Sequence, residues 1–284
     1  MIVVRTIADV RHAVREARAR GATVGLVPTM GAFHAGHLSL MRAARMQTGF
    51  VIVSLFVNPA QFNDPTDLAV YPRDEARDVA MAAAEGVDVL FAPTADAIYP
   101  DGFATAVMVA GRNEPLCGGF RGPEHFQGVA TVVTKLFNIV TPDVAFFGQK
   151  DAQQAVIVRR LVRDLDLPVR VEVCPTVRES DGLAMSSRNV RLGAEERVRA
   201  LALQYGLQVA TAAIENGARD GTRIAESARA AMHDRGVEAE YVELVSAKHL
   251  RPVTPLAGEI LVAVAAHVGS VRLIDNVVIR VPPT

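Results

Sequence analysis

The chain has 284 residues, half of them hydrophobic, and a formal net charge of −1 at pH 7. Its length and apolar fraction are sufficient for a substantial core, arranged as one large domain or as two unequal ones. The nearly balanced charge shows no basic excess of the kind that binds nucleic acid or a membrane surface.

Alternating helices and strands are predicted from the hydrophobic periodicity of the first part of the chain. The predicted helices cover residues 6–20, 37–46, 73–85, 126–139 and 153–164, and the predicted strands cover 22–27, 50–57, 87–91, 144–147 and 169–173. The strands are almost continuously apolar, which favours an α/β fold with a Rossmann-like parallel sheet and helices on both faces. Because ligands bind beyond the carboxyl ends of such strands, we expect the loops after residues 28, 57, 147 and 173 to converge on one crevice.

The pattern changes in the last third of the chain. Two helices are predicted there, over 194–216 and 222–235, and three strands follow near 238–247, 259–267 and 271–280 without long helices between them. This order predicts a Rossmann-like domain over residues 1–176 and a smaller C-terminal α+β domain over residues 177–284.

Cysteine usage and the first residues indicate the compartment. The two cysteines, Cys117 and Cys174, are too few for a disulfide framework, which is typical of a reducing environment. The chain opens with only a few apolar positions before charges appear, a pattern typical neither of a signal peptide nor of a membrane span. We therefore expect a cytoplasmic protein with neither nucleic acid nor a membrane as its partner.

The segment from Pro28 to His37 reads Pro-Thr-Met-Gly-Ala-Phe-His-Ala-Gly-His and joins a predicted strand to a predicted helix. His34 and His37, three residues apart at a helix start, can face the same way. The exposed amides of a helix N-terminus favour phosphate, and Gly36 lets a ligand approach the backbone closely. Two imidazoles can therefore donate hydrogen bonds to a polyphosphate. The alternative is that both rings only satisfy local hydrogen bonds.

A second motif, Met-Ser-Ser-Arg-Asn, runs from Met185 to Asn189 and follows the flexible pair Asp181-Gly182. Hydroxyls and a guanidinium suit phosphate oxygens, although such a string alone is common in loops. Together with the His-x-Gly-His motif it resembles the nucleotidyl-transferase superfamily, which includes the class I aminoacyl-tRNA synthetases. In that superfamily a Lys-Met-Ser-Lys-Ser-type loop closes over the phosphates.

Five further segments narrow the resemblance to one family. They are Ser54–Phe62, Tyr71–Arg73, Val129–Val140, Phe147–Gln154 and Asp181–Asn189. In this order they closely resemble the pantoate–β-alanine ligases, from about residue 24 to residue 190 and more diffusely beyond.

The resemblance implies a two-step reaction and its ligands. Pantoate attacks the α-phosphorus of ATP to form pantoyl adenylate and pyrophosphate, and β-alanine then displaces AMP to form pantothenate. The implied partners are pantoate, β-alanine and ATP with Mg²⁺, and the implied assembly is a homodimer.

The resemblance also implies the role of individual residues. The implied catalytic residues are His34, His37, Lys150 and Arg188. The implied ATP-binding residues are Met30, His34, His37, Gly148, Lys150, Asp151, Val177, Met185, Ser186, Ser187 and Arg188. Gln61 and Gln154 match the pantoate-binding glutamines, Gln61 also matches the β-alanine site, and Gln127 is a weaker candidate. His37 matches a position usually labelled the general acid, but we interpret it as a phosphate donor, since pyrophosphate needs no strong acid near neutral pH.

Several positions allow more than one interpretation. Asp151 binds the ribose, caps the following helix, or does both. Lys135 either extends to the surface or belongs to the site. Asp78 is the single acid where relatives often carry two, so either Asp78 contributes to a Mg²⁺ site or Mg²⁺ is held mainly by ATP oxygens and water. Gln149 replaces a frequent glutamate, with little expected effect. Residues 118–123 form either a lid over the adenylate or an ordinary surface loop.

Two other functions fit parts of the same pattern. An adenylyltransferase that makes a dinucleotide would need an anion pocket for its phosphorylated acceptor, whereas Gln61 and Gln154 offer neutral amides. A nucleotide-binding module related to tRNA synthetases would bind ATP without turnover. The nearly neutral charge and the lack of an anticodon-binding extension argue against this module.

Overall fold

The structure is a computed structural model that describes residues 1–63, 65–111 and 116–282. The strands are β1 (Ile2–Val4), β2 (Val24–Thr29), β3 (Phe50–Leu55), β4 (Val89–Phe91), β5 (Val144–Gly148), β6 (Arg170–Cys174), β7 (Ala239–Ser246), β8 (Gly258–Val268) and β9 (Val271–Val281). The helices are α1 (Ile7–Ala19), α2 (Ala35–Gln47), α3 (Pro65–Ala69), α4 (Glu75–Ala84), α5 (Ala95–Ile98), α6 (Gly118–Arg121), α7 (Pro123–Val140), α8 (Ala152–Asp164), α9 (Ala194–Ala200), α10 (Ala202–Glu215) and α11 (Gly221–His233). Short 3-10 turns cover Pro59–Gln61, Gln149–Asp151 and Asn189–Arg191.

The first six strands form one parallel sheet in the order β1-β4-β3-β2-β5-β6. The predicted parallel sheet is confirmed, with β1 as an additional edge strand. The strand order reverses between β2 and β5, because β3 and β4 lie on one side of β2 and β5 and β6 on the other. This reversal opens the crevice in which ligands bind in open α/β sheets.

Helices cover both faces of this sheet, as predicted. Successive residues of β2 point to opposite faces. Leu26 therefore packs into the core formed with α1, α7 and α8, whereas Val27 packs into the core formed with α2 and α4. Ile52 and Val53 of β3 divide between the two cores in the same way.

The last three strands form an antiparallel sheet in the order β7-β8-β9. One face of β8 packs on α10 and α11 through Ile260 and Val262, while Leu261 and Ala263 on the other face join the core of the large sheet. The second sheet is thus fixed against the first. The α+β content of this part is as predicted, and the boundary after residue 176 stays a prediction; residues 283 and 284 lie outside the described ranges.

The structure adds a few short elements to the predicted ones. The single helix expected over 194–216 is two helices, α9 and α10, which meet at Leu201. Strand β1 has three residues, and α3 and α5 have five and four. Hydrophobic periodicity cannot detect such elements, because it needs a window longer than one helical turn.

Candidate active site

A cavity of about 290 Å³ lies at the carboxyl ends of β2, β3, β5 and β6 and is covered by the second sheet. The four loops expected to converge all contribute to its wall, which confirms that prediction. The predicted site residues that line it are Met30, His34, His37, Gln61, Gly148, Lys150, Asp151, Gln154, Val177, Met185, Ser186, Ser187 and Arg188. Segments separated by more than 150 residues of sequence therefore share one cavity.

The two histidines lie side by side at the start of α2. His34 is the N-cap residue, and its Nδ1 accepts a hydrogen bond from the Gly36 N–H at 3.1 Å. The Nδ1 of His37 accepts from the His34 N–H at 3.4 Å, and the two ring centroids are 4.1 Å apart. Because a backbone N–H can only donate, each neutral ring carries its proton on Nε2. Both rings can therefore donate an Nε2–H to a ligand.

Their surroundings keep both imidazoles neutral. Burial and, secondarily, the charge of Lys150 lower the pKa of His34 from 6.5 to about 4. Burial and the neighbouring His34 ring lower the pKa of His37 from 6.5 to about 3. A ring that is uncharged at neutral pH is a hydrogen-bond donor but a poor source of protons, which supports the interpretation of His37 as a phosphate donor.

These lowered pKa values predict that the protein loses stability in mild acid. The unfolded chain binds protons near pH 6.5 and the folded chain only near 4 and 3, so lowering the pH through this window favours unfolding. Stability should be constant above pH 6.5 with respect to these two groups. By about pH 5 the loss should be on the order of 2 kcal/mol for each histidine.

Urea denaturation at about pH 7.5 and about pH 5 measures this dependence. The His34→Gln/His37→Gln double variant should lose less unfolding free energy between the two pH values than the unchanged protein does. Equal losses in both proteins would mean that these rings are not the source of acid sensitivity.

The Met185–Arg188 segment, here called the serine loop, lies directly against the histidine motif. A methyl group at Gly36 would lie 2.8 Å from Cε1 of His34 and 3.8 Å from Cβ of Met185. Glycine at this position therefore leaves room for the imidazole and brings the serine loop to the start of α2. This contact is the arrangement on which the predicted phosphate site depends.

A small hairpin holds the serine loop in this place. The Met185 N–H donates to the Val177 carbonyl at 2.9 Å, and the Glu179 N–H donates to the Leu183 carbonyl at 2.8 Å. The Arg197 guanidinium of α9 pairs with the carboxylate of Glu179 at 2.6 Å. Val177, matched to the adenine contact, and Met185 are therefore neighbours at the open end of the hairpin.

Lys150 and Asp151 lie on the 3-10 turn that follows β5. The Lys150 Nζ is 3.7 Å from a carboxylate oxygen of Asp151, whose side chain is half exposed. Asp151 precedes α8 but makes no side-chain capping hydrogen bond to it. The capping alternative is therefore not supported, and the carboxylate is available to a ligand in the cavity.

The part of the cavity lined by Gln61 and Gln154, here called the acid slot, is the predicted pantoate site. The Asn58 Nδ2 donates to Oε1 of Gln61 at 3.1 Å, and the Gln61 Nε2 donates to the sulfur of Met30 at 2.8 Å. Asn58 is 1% exposed and also accepts a hydrogen bond from the Tyr99 hydroxyl at 2.8 Å. The amide of Gln61 is thus oriented by neighbours, among which Asn58 was not predicted from the sequence.

Other residues lie elsewhere than the sequence suggested. Asp78 is not a cavity residue: its carboxylate is buried and accepts hydrogen bonds from the backbone N–H groups of Ala32 and Phe33, at 2.8 and 2.7 Å. This carboxylate stabilises the loop before His34, and we withdraw it as a metal ligand. Gln127 does not line the cavity either.

Two predicted alternatives concern the outer surface of the site. The Lys135 Nζ lies 4.5 Å from the ring centroid of Phe103, a cation–π contact away from the cavity wall, so the surface alternative is favoured. The segment 118–123 is not an extended loop, because residues Gly118–Arg121 form α6. A lid formed by this segment stays a prediction.

The structure also adds cavity residues that the sequence did not reveal. Thr176 lines the cavity beside Val177, and its buried hydroxyl has no hydrogen-bond partner within the described ranges. The C-terminal sheet contributes Tyr241, Arg272, Asp275 and Asn276. One signal was present: Asp275 and Asn276 are adjacent polar residues between the apolar runs of β9, where buried polar groups need partners.

The described residues contain neither a metal-binding cluster nor a membrane-spanning helix. In residues 1–63, 65–111 and 116–282, no group of three or more histidine, cysteine or acidic side chains could hold a metal ion. Over the same residues, every helix is too short or too polar to cross a membrane.

Comparison with known proteins identifies the family. The family model for pantoate-beta-alanine ligase matches residues 2–278. The pantothenate synthetase of Moorella thermoacetica is 51% identical over an alignment of 284 positions that covers 99% of each chain. The crystal structure of pantothenate synthetase from Thermus thermophilus has a TM-score of 0.92 and 43% identity and covers 100% of both chains.

A second solved structure adds ligands. The pantoate-beta-alanine ligase of Francisella tularensis, solved in complex with beta-gamma ATP and beta-alanine, has a TM-score of 0.81. It is 34% identical and covers 98% of this chain and 97% of its own. The chain described here therefore belongs to the pantoate–β-alanine ligase family.

Proposed function

We propose that the cavity condenses pantoate with β-alanine in two steps, with the residues named above in defined roles. One observation carries the proposal: the histidine motif, the serine loop and the Gln61 amide line the same 290 Å³ cavity. A triphosphate bound between the first two would present its α-phosphorus to an acid held near the third. Each step then needs alignment and charge neutralisation.

In the first step a carboxylate oxygen of pantoate attacks the α-phosphorus of ATP. The new oxygen–phosphorus bond forms as the bond to the bridging oxygen breaks, and pyrophosphate leaves with its electron pair. Both reactants are anions, so the barrier depends on donors around the phosphates. The neutral rings of His34 and His37 donate Nε2–H bonds, Lys150 and Arg188 supply positive charge, and hydroxyls of Ser186 and Ser187 complete the set.

In the second step the amine of β-alanine attacks the acyl carbon of the adenylate. A carbon–nitrogen bond forms, the acyl carbon–oxygen bond breaks, AMP leaves, and the nitrogen loses a proton. Asp151 and Gly148 hold the ribose and Val177 contacts adenine in this proposal. Gln154 binds pantoate, and Gln61 binds pantoate first and β-alanine afterwards.

Mg²⁺ accompanies ATP in the proposed reaction, without a dedicated site among the described residues. These residues contain no suitable cluster of metal ligands, and the Asp78 carboxylate is engaged by backbone N–H groups. Mg²⁺ is typically held by phosphate oxygens and water together with few protein carboxylates. We therefore propose that it enters bound to ATP.

The assembly and the compartment rest on family resemblance and composition. We propose a homodimer, which analytical ultracentrifugation at micromolar concentration would test through the molar mass. A cytoplasmic location is proposed from the two buried, free cysteines, Cys117 and Cys174. Neither proposal affects the chemistry assigned to the cavity.

Replacing Gln61 by alanine should raise the pantoate concentration needed for half-maximal rate at least ~10-fold, because a hydrogen-bonding amide is lost from the acid slot. The KM for ATP should change less than about threefold, since the phosphate donors are unchanged. Initial rates of pyrophosphate release, measured while each substrate is varied, separate the two effects. A larger change for ATP than for pantoate would remove Gln61 from the acid slot.

Formation of AMP in steady state tests the function as a whole. We expect AMP to form only when pantoate, β-alanine and ATP are all present, with one pantothenate per AMP. Pyrophosphate release that instead requires a phosphorylated acceptor would favour a dinucleotide-forming adenylyltransferase. ATP binding without any turnover would favour a nucleotide-binding module.

A further inference from the structure

Two adjacent residues of β9, Asp275 and Asn276, connect the C-terminal sheet to the ATP-binding part of the cavity. Their side chains are buried, with 3% and 6% of the surface exposed, and both line the cavity. Buried polar groups are retained where they have hydrogen-bond partners. The partners of Asn276 lie on the turn that carries Lys150, and the side-chain partner of Asp275 lies on the hairpin that holds the serine loop.

Asn276 binds the turn that carries Lys150. Its Nδ2 donates to the backbone carbonyls of Gln149 and Lys150, at 3.0 and 2.8 Å, and its Oδ1 accepts from the Gln149 Nε2 at 2.9 Å. Three hydrogen bonds therefore attach this turn to a strand of the other sheet. An asparagine amide provides both donors and the acceptor that this arrangement needs.

Asp275 binds the hairpin that carries the serine loop. Its carboxylate oxygens accept two hydrogen bonds from the Arg178 guanidinium, at 2.6 and 3.1 Å, and one from the Asn276 N–H at 2.8 Å. Arg178 also donates to the Gly182 carbonyl at 3.0 Å and pairs with Ala184 across the hairpin. A bidentate pair of this kind fixes orientation as well as distance.

We infer that Asp275 and Asn276 are positioning residues that set the separation between Lys150 and the serine loop. The inference rests on the proposed function, since it gives these two stretches a common ligand. Each residue acts through its partner and is not assigned a contact with ATP. Displacing a transition-state donor by about 1 Å can cost on the order of 100-fold in rate, so fixing this separation has a large effect.

The first test replaces Asn276 by alanine and follows pyrophosphate release with pantoate present. We expect kcat/KM for ATP to fall at least ~10-fold, because Lys150 is no longer held against the phosphates. The dissociation constant for pantoate, measured without ATP, should stay within about twofold of that of the unchanged protein. A general loss of structure would raise it further. Gln149→Ala is the matched control: it removes one of the three bonds and leaves both carbonyl contacts, so its effect should be smaller.

A double-mutant cycle shows whether Asn276 acts through Lys150. In a Lys150→Ala background, Asn276→Ala should lower the rate less than about threefold further, because the group that it positions is already absent. The inference is overturned if Asn276→Ala lowers the rate in the Lys150→Ala background by the same factor as in the unchanged protein. It is also overturned if Asn276→Ala alone leaves kcat/KM for ATP unchanged. If Asn276→Ala does not fold, Asn276→Ser, which keeps one donor, is measured in the same cycle with the same criteria.

The Asp275 part is tested in the same way with Asp275→Asn in an Arg188→Ala background. If the two substitutions lower kcat/KM for ATP independently, so that their free-energy effects add, the role of Asp275 is overturned. If the double variant loses less than that sum, the role is supported. The controls separate this inference from the proposed function. If the unchanged protein releases no pyrophosphate with pantoate, the proposed function fails. If the unchanged protein releases pyrophosphate with pantoate and Asn276→Ala releases it with the same kcat/KM for ATP, only the positioning role fails.

Discussion

Replacing Lys150 by alanine should lower the rate of adenylate formation at least ~100-fold, the scale of removing one transition-state donor. The side chain is 20% exposed and lines the cavity with His34 and the serine loop. Negative charge develops on the departing pyrophosphate. A positive side chain that is already in position stabilises this charge, and the site does not have to rearrange during the reaction. We expect losses of the same scale for His37→Ala and Arg188→Ala. Single-turnover pyrophosphate release with pantoate present measures all three.

Lys135→Ala provides the control for these variants. Lys135 is also partly buried, but it lies over the ring of Phe103 and outside the cavity. Its removal should leave the rate of adenylate formation within about twofold of the original, with the loss only of its cation–π contacts to Phe103 and Tyr99. Equal rates for Lys150→Ala and Lys135→Ala would contradict the assignment of Lys150 to the phosphates.

Replacing Gly128 by alanine should be the most damaging single change near the acid slot. A methyl group at this position would lie 2.1 Å from the Ala60 carbonyl oxygen and 2.8 Å from the Gln61 nitrogen. Such contacts are impossible, so the 3-10 turn that carries Gln61 must move away from α7. We expect the KM for pantoate to rise at least ~10-fold and the unfolding free energy to fall by about 1–3 kcal/mol, as for other overpacked sites.

Helix propensity alone predicts the opposite result. Within an α-helix, glycine to alanine is stabilising by up to about 1 kcal/mol, so a loss in Gly128→Ala would have to come from the steric contact. Gly193→Ala, at the N-cap of α9, is the control for the steric effect on the acid slot: a methyl group there meets only an ordinary contact, 3.7 Å from Glu196, and the KM for pantoate should not change. An unchanged KM for pantoate and unchanged stability in Gly128→Ala would show that α7 does not fix the Gln61 turn.

The large sheet could be predicted from the sequence because its signals are local. Runs such as Phe50–Leu55 are almost entirely apolar, and their β-branched residues are buried on both faces. The histidine motif was found for the same reason. His34 and His37 are three residues apart, and the amides that they bind belong to the same turn of the chain.

The remaining part of the site depends on contacts between residues far apart in the sequence. Asn276 lies 126 residues after the Lys150 carbonyl that it binds, and Asn58 lies 70 residues before the Gly128 carbonyl that its amide contacts. No periodicity or local motif encodes such pairs. Asp78 is a similar case: the sequence offered it only as a candidate metal ligand, and its hydrogen bonds to the backbone of Ala32 and Phe33, 46 and 45 residues earlier, could not be read from the sequence.

Pyrophosphate release with ATP and pantoate, in the absence of β-alanine, tests the central claim most directly. If the histidine motif and the serine loop bind one triphosphate beside an acid slot, a rapid burst of about one pyrophosphate per chain should precede any need for the amine. Adding β-alanine should then release AMP. A protein that releases no pyrophosphate until β-alanine is present would contradict the claim, however closely the chain resembles its family.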